Sequence, residues 1–120
     1  MLWGIVVLRV VVGLVFLVNG ASKVLFGGLG ETSAAISSAG IPAAGIVALA
    51  VGGLEFVAGI LLTLGVLIRP FAVLLAVEMV FAILLVHLQN GFFAANGGYE
   101  YPLVMLAALV AIAMAGEARP

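Results

Sequence analysis

Four long apolar stretches follow one another along this chain, and they constrain its fold more than any other feature. They cover about residues 2–24, 43–68, 71–89 and 102–116. A membrane-spanning helix needs about 20 predominantly apolar residues, so the chain has room for four such helices and short connections. We therefore predict an all-α fold, a polytopic four-helix bundle that forms one membrane domain over residues 1–120 in the cell membrane.

The composition excludes a water-soluble domain. Hydrophobic residues make up 67% of the 120 positions and charged residues 8%, and the mean hydropathy is +1.48. A soluble domain typically has about 25% charged residues. The net charge of -1 offers no basic surface for nucleic acid. We expect contact with the lipid bilayer and with membrane protein partners or further copies of the chain.

The chain contains no cysteine and one histidine, which limits its redox chemistry. The absence of cysteine excludes disulfides, thiolate metal sites, covalently attached c-type haem and a dithiol relay. One histidine cannot supply two axial haem ligands or a three-histidine metal centre. We therefore expect no metal and no covalently bound cofactor, so a redox centre would be diffusible, such as a quinone, or would belong to a partner.

Two polar, glycine-rich segments connect the apolar stretches at one side of the membrane. Residues 27–42 can form a short interfacial helix from about 31 to 39, and residues 90–101 combine aromatic, glycine and amide side chains. Arg69 and Arg119 fall at the opposite side, together with the N-terminus. Because cations prefer the cytoplasmic side, we interpret these two arginines as topology anchors and predict that both termini are cytoplasmic.

Three ionisable residues, Arg9, Glu55 and Glu78, lie at membrane depth, well inside the predicted spans. Each costs roughly 2.5 to 3.5 kcal/mol at the membrane centre, so such residues persist only if they are paired, hydrated or needed. We predict a buried polar network in which Arg9 pairs with at least one glutamate. The network either locks the helix order, or its surplus acid lines a cavity that binds the polar head of a lipophile or moves protons.

A second group of polar and aromatic residues gathers at the predicted outer mouth of the bundle. His87, Phe92 and Phe93 can bound a pocket for a flat ring together with Glu55, or they can be an ordinary hydrated histidine and interfacial aromatics. On a regular helix His87 points about 180° away from Glu78, so we expect His87 and not Glu78 to share the ligand site with Glu55. The remaining outer-mouth residues are Lys23, Asn90, Asn96 and Glu100.

Three spaced motifs resemble the DoxX/DoxD family of small four-helix membrane proteins. The third is the most specific, because hydrophobicity does not explain it. The motifs are Arg9-x3-Gly13-x2-Phe16-x3-Gly20-x2-Lys23, Glu55-x3-Gly59-x-Leu61-Leu62-x2-Gly65-x3-Arg69, and His87-x3-Gly91-Phe92-Phe93-x3-Gly97-Gly98-x-Glu100.

The resemblance implies a four-span bundle linked to quinone-dependent membrane oxidoreduction. Relatives of this kind include a subunit of a thiosulfate:quinone oxidoreductase, although most members have no assigned chemistry. Glu78 does not belong to the family pattern. Carried over by position, the polar residues of the family are Arg9, Lys23, Glu55, Arg69, His87 and Glu100.

These observations leave three functions open. The leading one is a quinone- or lipophile-binding subunit of a membrane oxidoreductase complex, without a redox centre of its own. The second is a non-enzymatic membrane scaffold or assembly factor that uses its glycine-rich faces to hold other chains. The third is a small proton-coupled exporter, although small multidrug exporters carry their essential acid in the first span, where this chain has Arg9.

The predicted topology can be tested by labelling single cysteines, since the chain has none of its own. A thiol introduced by Asn96→Cys should react with a membrane-impermeant maleimide added from outside the cell. Labelling of this position from the cytoplasmic side alone would show that the orientation is reversed.

Overall fold

The computed structural model describes residues 2–116, which fold almost entirely into helices. Between the fourth and fifth α-helices the chain forms a π-helical turn, Ile83–His87, and two 3-10 turns, Leu88–Asn90 and Ala94–Asn96. No strand occurs among the described residues. The α-helices are α1 (Leu2–Val24), α2 (Leu29–Ser38), α3 (Ala44–Leu64), α4 (Ile68–Ala82) and α5 (Glu100–Ala115).

The predicted helical membrane bundle is confirmed. Three helical segments, residues 3–24, 44–64 and 68–90, are long and apolar enough to cross a membrane. The 16 residues of α5 extend about 24 Å at 1.5 Å per residue, which is shorter than the hydrocarbon core of about 30 Å. The interfacial helix expected near residues 31–39 is α2. Arg119 lies outside the described residues, and the orientation of the termini stays a prediction.

Helices α1 and α3 approach each other so closely that glycine is required at their contact. A Cβ atom on Gly59 would lie 2.6 Å from the Cα atom of Leu17 and 2.8 Å from the carbonyl oxygen of Gly13. A Cβ atom on Gly20 would lie 2.6 Å from the Cα atom of Phe56. Small residues allow such backbone contact, which is how membrane helices gain packing energy without a hydrophobic driving force.

The remaining long helices pack around this pair. Helix α4 packs mainly against α5, and α2 packs against α3 at one end of the bundle. Large apolar side chains from α1, α3, α4 and α5 meet in one core beside the α1–α3 contact. The most deeply buried of these side chains are Phe16, Leu62, Leu75, Leu109 and Ile112.

Two arginines lie at the end of the bundle where α3 and α5 terminate, which we call the arginine end. The guanidinium group of Arg9 lies against Gly65, where an added Cβ atom would be 3.1 Å from Cζ of Arg9. Nε of Arg69 donates a hydrogen bond of 3.0 Å to the carbonyl oxygen of Ala113 in the last turn of α5. Cations at these positions complement the partial negative charge at helix C-termini.

The glycine contact gives a matched test on a single helix. Gly59→Ala should lower the free energy of unfolding by about 1–3 kcal/mol, because the methyl group would force α1 and α3 apart. Gly53→Ala is the control, since a Cβ atom there meets nothing within 4 Å. Thermal unfolding of both variants in detergent measures the difference, and equal effects would contradict the contact.

Candidate functional site

A buried ion pair joins α1 to α3 near the middle of the bundle. The ammonium group of Lys23 donates a hydrogen bond to the Glu55 carboxylate. Only 4% of Glu55 is exposed, and the Lys23 side chain is 24% exposed. A Cβ atom on Gly52 would lie 3.0 Å from Cβ of Lys23. The absence of a side chain at Gly52 therefore lets the lysine stem lie along α3 and reach Glu55 one turn further on.

Glu78 on α4 completes a polar cluster with this pair. Its carboxyl group interacts with that of Glu55 and with the charge of Lys23. Oε1 of Glu78 is buried without a hydrogen-bond partner. We call Lys23, Glu55 and Glu78 the polar cluster. One carboxylate balances the lysine, so the second carboxyl group is surplus and has an unsatisfied oxygen, which is costly to bury unless a ligand or water contacts it.

The polar cluster differs from the expected network of Arg9, Glu55 and Glu78. Arg9 lies against Gly65, ten residues or about 15 Å along α3 from Glu55, and its Nε is buried without a hydrogen-bond partner. The expected network leaves out Lys23, predicted at the outer mouth, whose long side chain reaches from the end of α1 towards the bundle centre.

A cavity of about 650 Å³ lies over the polar cluster. Helix α2 covers it at the end of the bundle opposite the arginines, which we call the loop end. Its apolar wall includes Phe16, Ile36 and Met79, and further apolar side chains from α3 and α4. The polar residues that line it are Asn19, Lys23, Glu31, Thr32, Glu55, Glu78, His87 and Tyr101.

Glu78 and His87 both line this cavity, although their spacing on a regular α-helix places them on opposite faces. Nine residues at 100° each leave the two side chains about 180° apart. The π-helical turn Ile83–His87 contains in effect one extra residue, which reduces the angle to about 80°. Glu78 thus lines the cavity together with His87 and Glu55, contrary to the expectation for a regular helix, because of this turn, which the sequence pattern did not reveal.

The loop after this turn fixes the orientation of the histidine ring. Nδ1 of His87 lies 2.8 Å from the carbonyl oxygen of Gly97, and Nδ2 of Asn90 donates to the same oxygen at 3.1 Å. A carbonyl oxygen can only accept, so Nδ1 carries the hydrogen atom. In the neutral ring, Nε2 is then a hydrogen-bond acceptor.

Of the other predicted outer-mouth residues, Asn90 and Glu100 hold the loop itself, whereas Lys23 belongs to the polar cluster. Oε1 of Glu100 accepts a hydrogen bond of 2.9 Å from the backbone N–H of Ala94. Gly98 has no room for a side chain, because an added Cβ atom would lie 2.6 Å from the carbonyl carbon of Phe92. The side chain of Asn96 is exposed. The spacing of the third motif thus corresponds to a loop that is held together by its own hydrogen bonds.

Phe92 and Phe93 lie in this loop and are not among the residues that line the cavity. Their rings are in edge-to-face contact at 5.3 Å, Phe92 makes a similar contact with Tyr99 at 5.5 Å, and both phenylalanines are exposed. Phe92 and Phe93 therefore do not bound the ligand pocket as expected. Aromatic surface comes instead from Phe16 and Tyr101, whose hydroxyl group interacts with the amide of Asn19.

Metal ligands are not grouped in the described part of the chain. No set of three or more His, Cys, Asp or Glu side chains there could hold a metal ion. The ionisable side chains that line the cavity carry carboxyl, ammonium, imidazole and phenol groups, which can exchange protons and form hydrogen bonds.

The assignment of Lys23 as the partner of Glu55 predicts a pattern of stability changes. Lys23→Met should cost about 3 kcal/mol, because it strands a buried carboxylate, and the double variant Lys23→Met/Glu55→Gln should recover most of that loss. Arg9→Leu should gain no such rescue from Glu55→Gln, since Arg9 lies elsewhere. Thermal unfolding of the single and double variants in detergent measures these differences. Rescue of Arg9→Leu but not of Lys23→Met would overturn the assignment.

Comparison with known proteins places these residues in a family. A family model described as DoxX matches residues 4–88, more than two thirds of the chain. The chain is also similar to "Putative oxidoreductase CatD" of Bacillus subtilis (strain 168), with 31% identity over 114 residues that cover 95% of this chain and 80% of that protein. No solved structure matches. The resemblance predicted from the three motifs is confirmed, and the chain belongs to the DoxX family of multi-pass membrane proteins.

Proposed function

We propose that this protein binds a quinone, or a lipophile with a similar flat, oxygen-bearing headgroup, as a subunit of a membrane oxidoreductase complex. The observation that carries the proposal is the cavity of about 650 Å³, which combines an apolar wall with the polar cluster at its depth. Ligand sites of this kind are mostly apolar and contain a few polar groups that orient the ligand.

The polar groups have complementary hydrogen-bonding roles towards such a headgroup. The Lys23 ammonium and the Tyr101 hydroxyl can donate to a carbonyl oxygen, and both lie near Glu55. Oε1 of Glu78 is free to bond with a ligand hydroxyl group. This arrangement suits a headgroup that alternates between carbonyl and hydroxyl forms.

His87 has a separate role at the loop end of the cavity. It lies nine residues from Glu78, about 13 Å along the helix. This distance exceeds the width of one headgroup ring, so a single ring does not contact both side chains. Because its Nδ1–H bonds to Gly97, its Nε2 is suited to accept a proton and to release it towards the loop end. Its Nδ1–H is already used by Gly97 and is not available to a ligand carbonyl.

Electrons would have to come from a partner. The chain has no cysteine and one histidine, and its described residues contain no metal-ligand group. The similar protein from Bacillus subtilis has a name that includes the word oxidoreductase. A ligand cavity without a redox centre fits a subunit that binds the ligand while another chain carries the electrons.

The alternative of a membrane scaffold is less well supported. In that function the glycine-rich faces would hold other membrane chains. Here Gly13, Gly20, Gly52 and Gly59 are covered by the contact between α1 and α3. These faces are therefore already used within the chain.

Binding of decylubiquinone to the purified protein tests the proposal. The unmodified protein should bind it saturably in detergent. Glu55→Gln should weaken binding about tenfold, because Lys23 loses its charged partner, whereas His87→Ala should change the affinity little, because His87 lies beyond the reach of a headgroup at the polar cluster. Equilibrium dialysis measures the affinities.

Asn96→Ala is the matched control, because this polar residue is exposed and does not line the cavity. Saturable binding that Glu55→Gln does not weaken, or that His87→Ala weakens as much as Glu55→Gln does, would contradict the site. The absence of saturable binding to the unmodified protein would favour the scaffold function.

A further inference from the structure

A second concavity, which we call the α4–α5 groove, lies between these two helices and shares no residue with the cavity over the polar cluster. Its volume is about 440 Å³. Arg69 lies at its arginine end, and every other lining residue is apolar. The lining residues are Arg69, Val73, Ala76, Val77, Val80, Leu106, Val110, Ala113 and Met114.

The length of the groove corresponds to one leaflet of a bilayer. From Arg69 to Val80 is eleven residues, about 16 Å along the helix, and the hydrocarbon core is about 30 Å thick. Val73, Val77 and Met114 on its walls are exposed. Exposed apolar side chains within a membrane-spanning segment face lipid, so the groove runs from the membrane boundary to about the midplane along a lipid-facing surface.

Arg69 is oriented for an anion at the boundary end of this groove. Its Nε donates to the carbonyl oxygen of Ala113, which fixes the guanidinium plane. The side chain is exposed. A guanidinium group has five N–H donors, so donors remain after this bond is made, and their fork matches the geometry of a phosphate group.

We propose that the α4–α5 groove binds an anionic phospholipid, with one acyl chain along the groove and the phosphate group on Arg69. A phospholipid supplies both an apolar chain one leaflet long and an anion at the membrane boundary. An apolar helix of a second copy would fill the groove but would offer no acceptor to the guanidinium donors that have no partner among residues 2–116. The proposal is independent of the ligand in the larger cavity.

Native mass spectrometry of the detergent-purified protein tests the proposal with two lipids that have identical acyl chains. Phosphatidylglycerol should bind about tenfold more tightly than phosphatidylcholine. Arg69→Gln should reduce the affinity for phosphatidylglycerol to that for phosphatidylcholine. Arg69→Lys should give an intermediate affinity, because it keeps the charge and loses the fork.

Ala76→Phe should weaken binding of both lipids by filling the groove. The matched control is Ala50→Phe, since Ala50 is exposed on α3 outside the groove. If Ala76→Phe lowers the thermal stability of the lipid-free protein, Val77→Phe fills the groove from its exposed rim instead.

Equal affinity for the two lipids, or an Arg69→Gln variant that keeps the preference for phosphatidylglycerol, would overturn the proposal. A dimer that Ala76→Phe abolishes in the absence of lipid would also overturn it, because the groove would then be an interface between copies.

Discussion

The backbone contact between α1 and α3 is the constraint on which the other features of the site depend. Gly13 and Gly59 allow the two helices to touch at one level, and Gly20 and Gly52 do so nearer the loop end. Only at this separation does Lys23 lie along α3 and reach Glu55. A methyl group on either helix would separate the two charges as well as the two backbones. The close packing of the helices and the neutralisation of the buried carboxylate therefore depend on the same small residues.

The pairing of Glu55 with Lys23 determines how Glu78 on the neighbouring helix is paired. Because the Glu55 charge is matched by Lys23, the Glu78 carboxyl group has no cation left among its described neighbours. It retains a buried oxygen without a partner. A purely structural network would satisfy every polar atom, because an unsatisfied one costs about 1–3 kcal/mol. The surplus carboxyl group over an apolar cavity is the feature that favours a ligand site over a simple lock between helices.

The sequence predicted the helical architecture well, because apolar length, glycine and proline are local signals. It did not predict the partner of Glu55, although Gly20 and Gly52 each stand three residues before a charged residue, and that spacing would have indicated the pair. The sequence also could not show that Glu78 and His87 line the same cavity, for a different reason. A helical wheel assumes 100° per residue, and nothing in the apolar run Ile83–Val86 distinguishes a π-helical turn from an α-helical one.

Helices α4 and α5 each line both concavities of the molecule, and α4 does so with two different faces. One face carries Glu78 and Met79 into the cavity, while Val73 and Val77 on another face form the wall of the α4–α5 groove. Helix α4 has few contacts with α1 and α3 compared with its contacts to α5, so these two helices form one unit and α1 and α3 form another. The cavity lies at the boundary between the units. The polar cluster is therefore assembled from both units, because Lys23 and Glu55 come from α1 and α3 and Glu78 comes from α4.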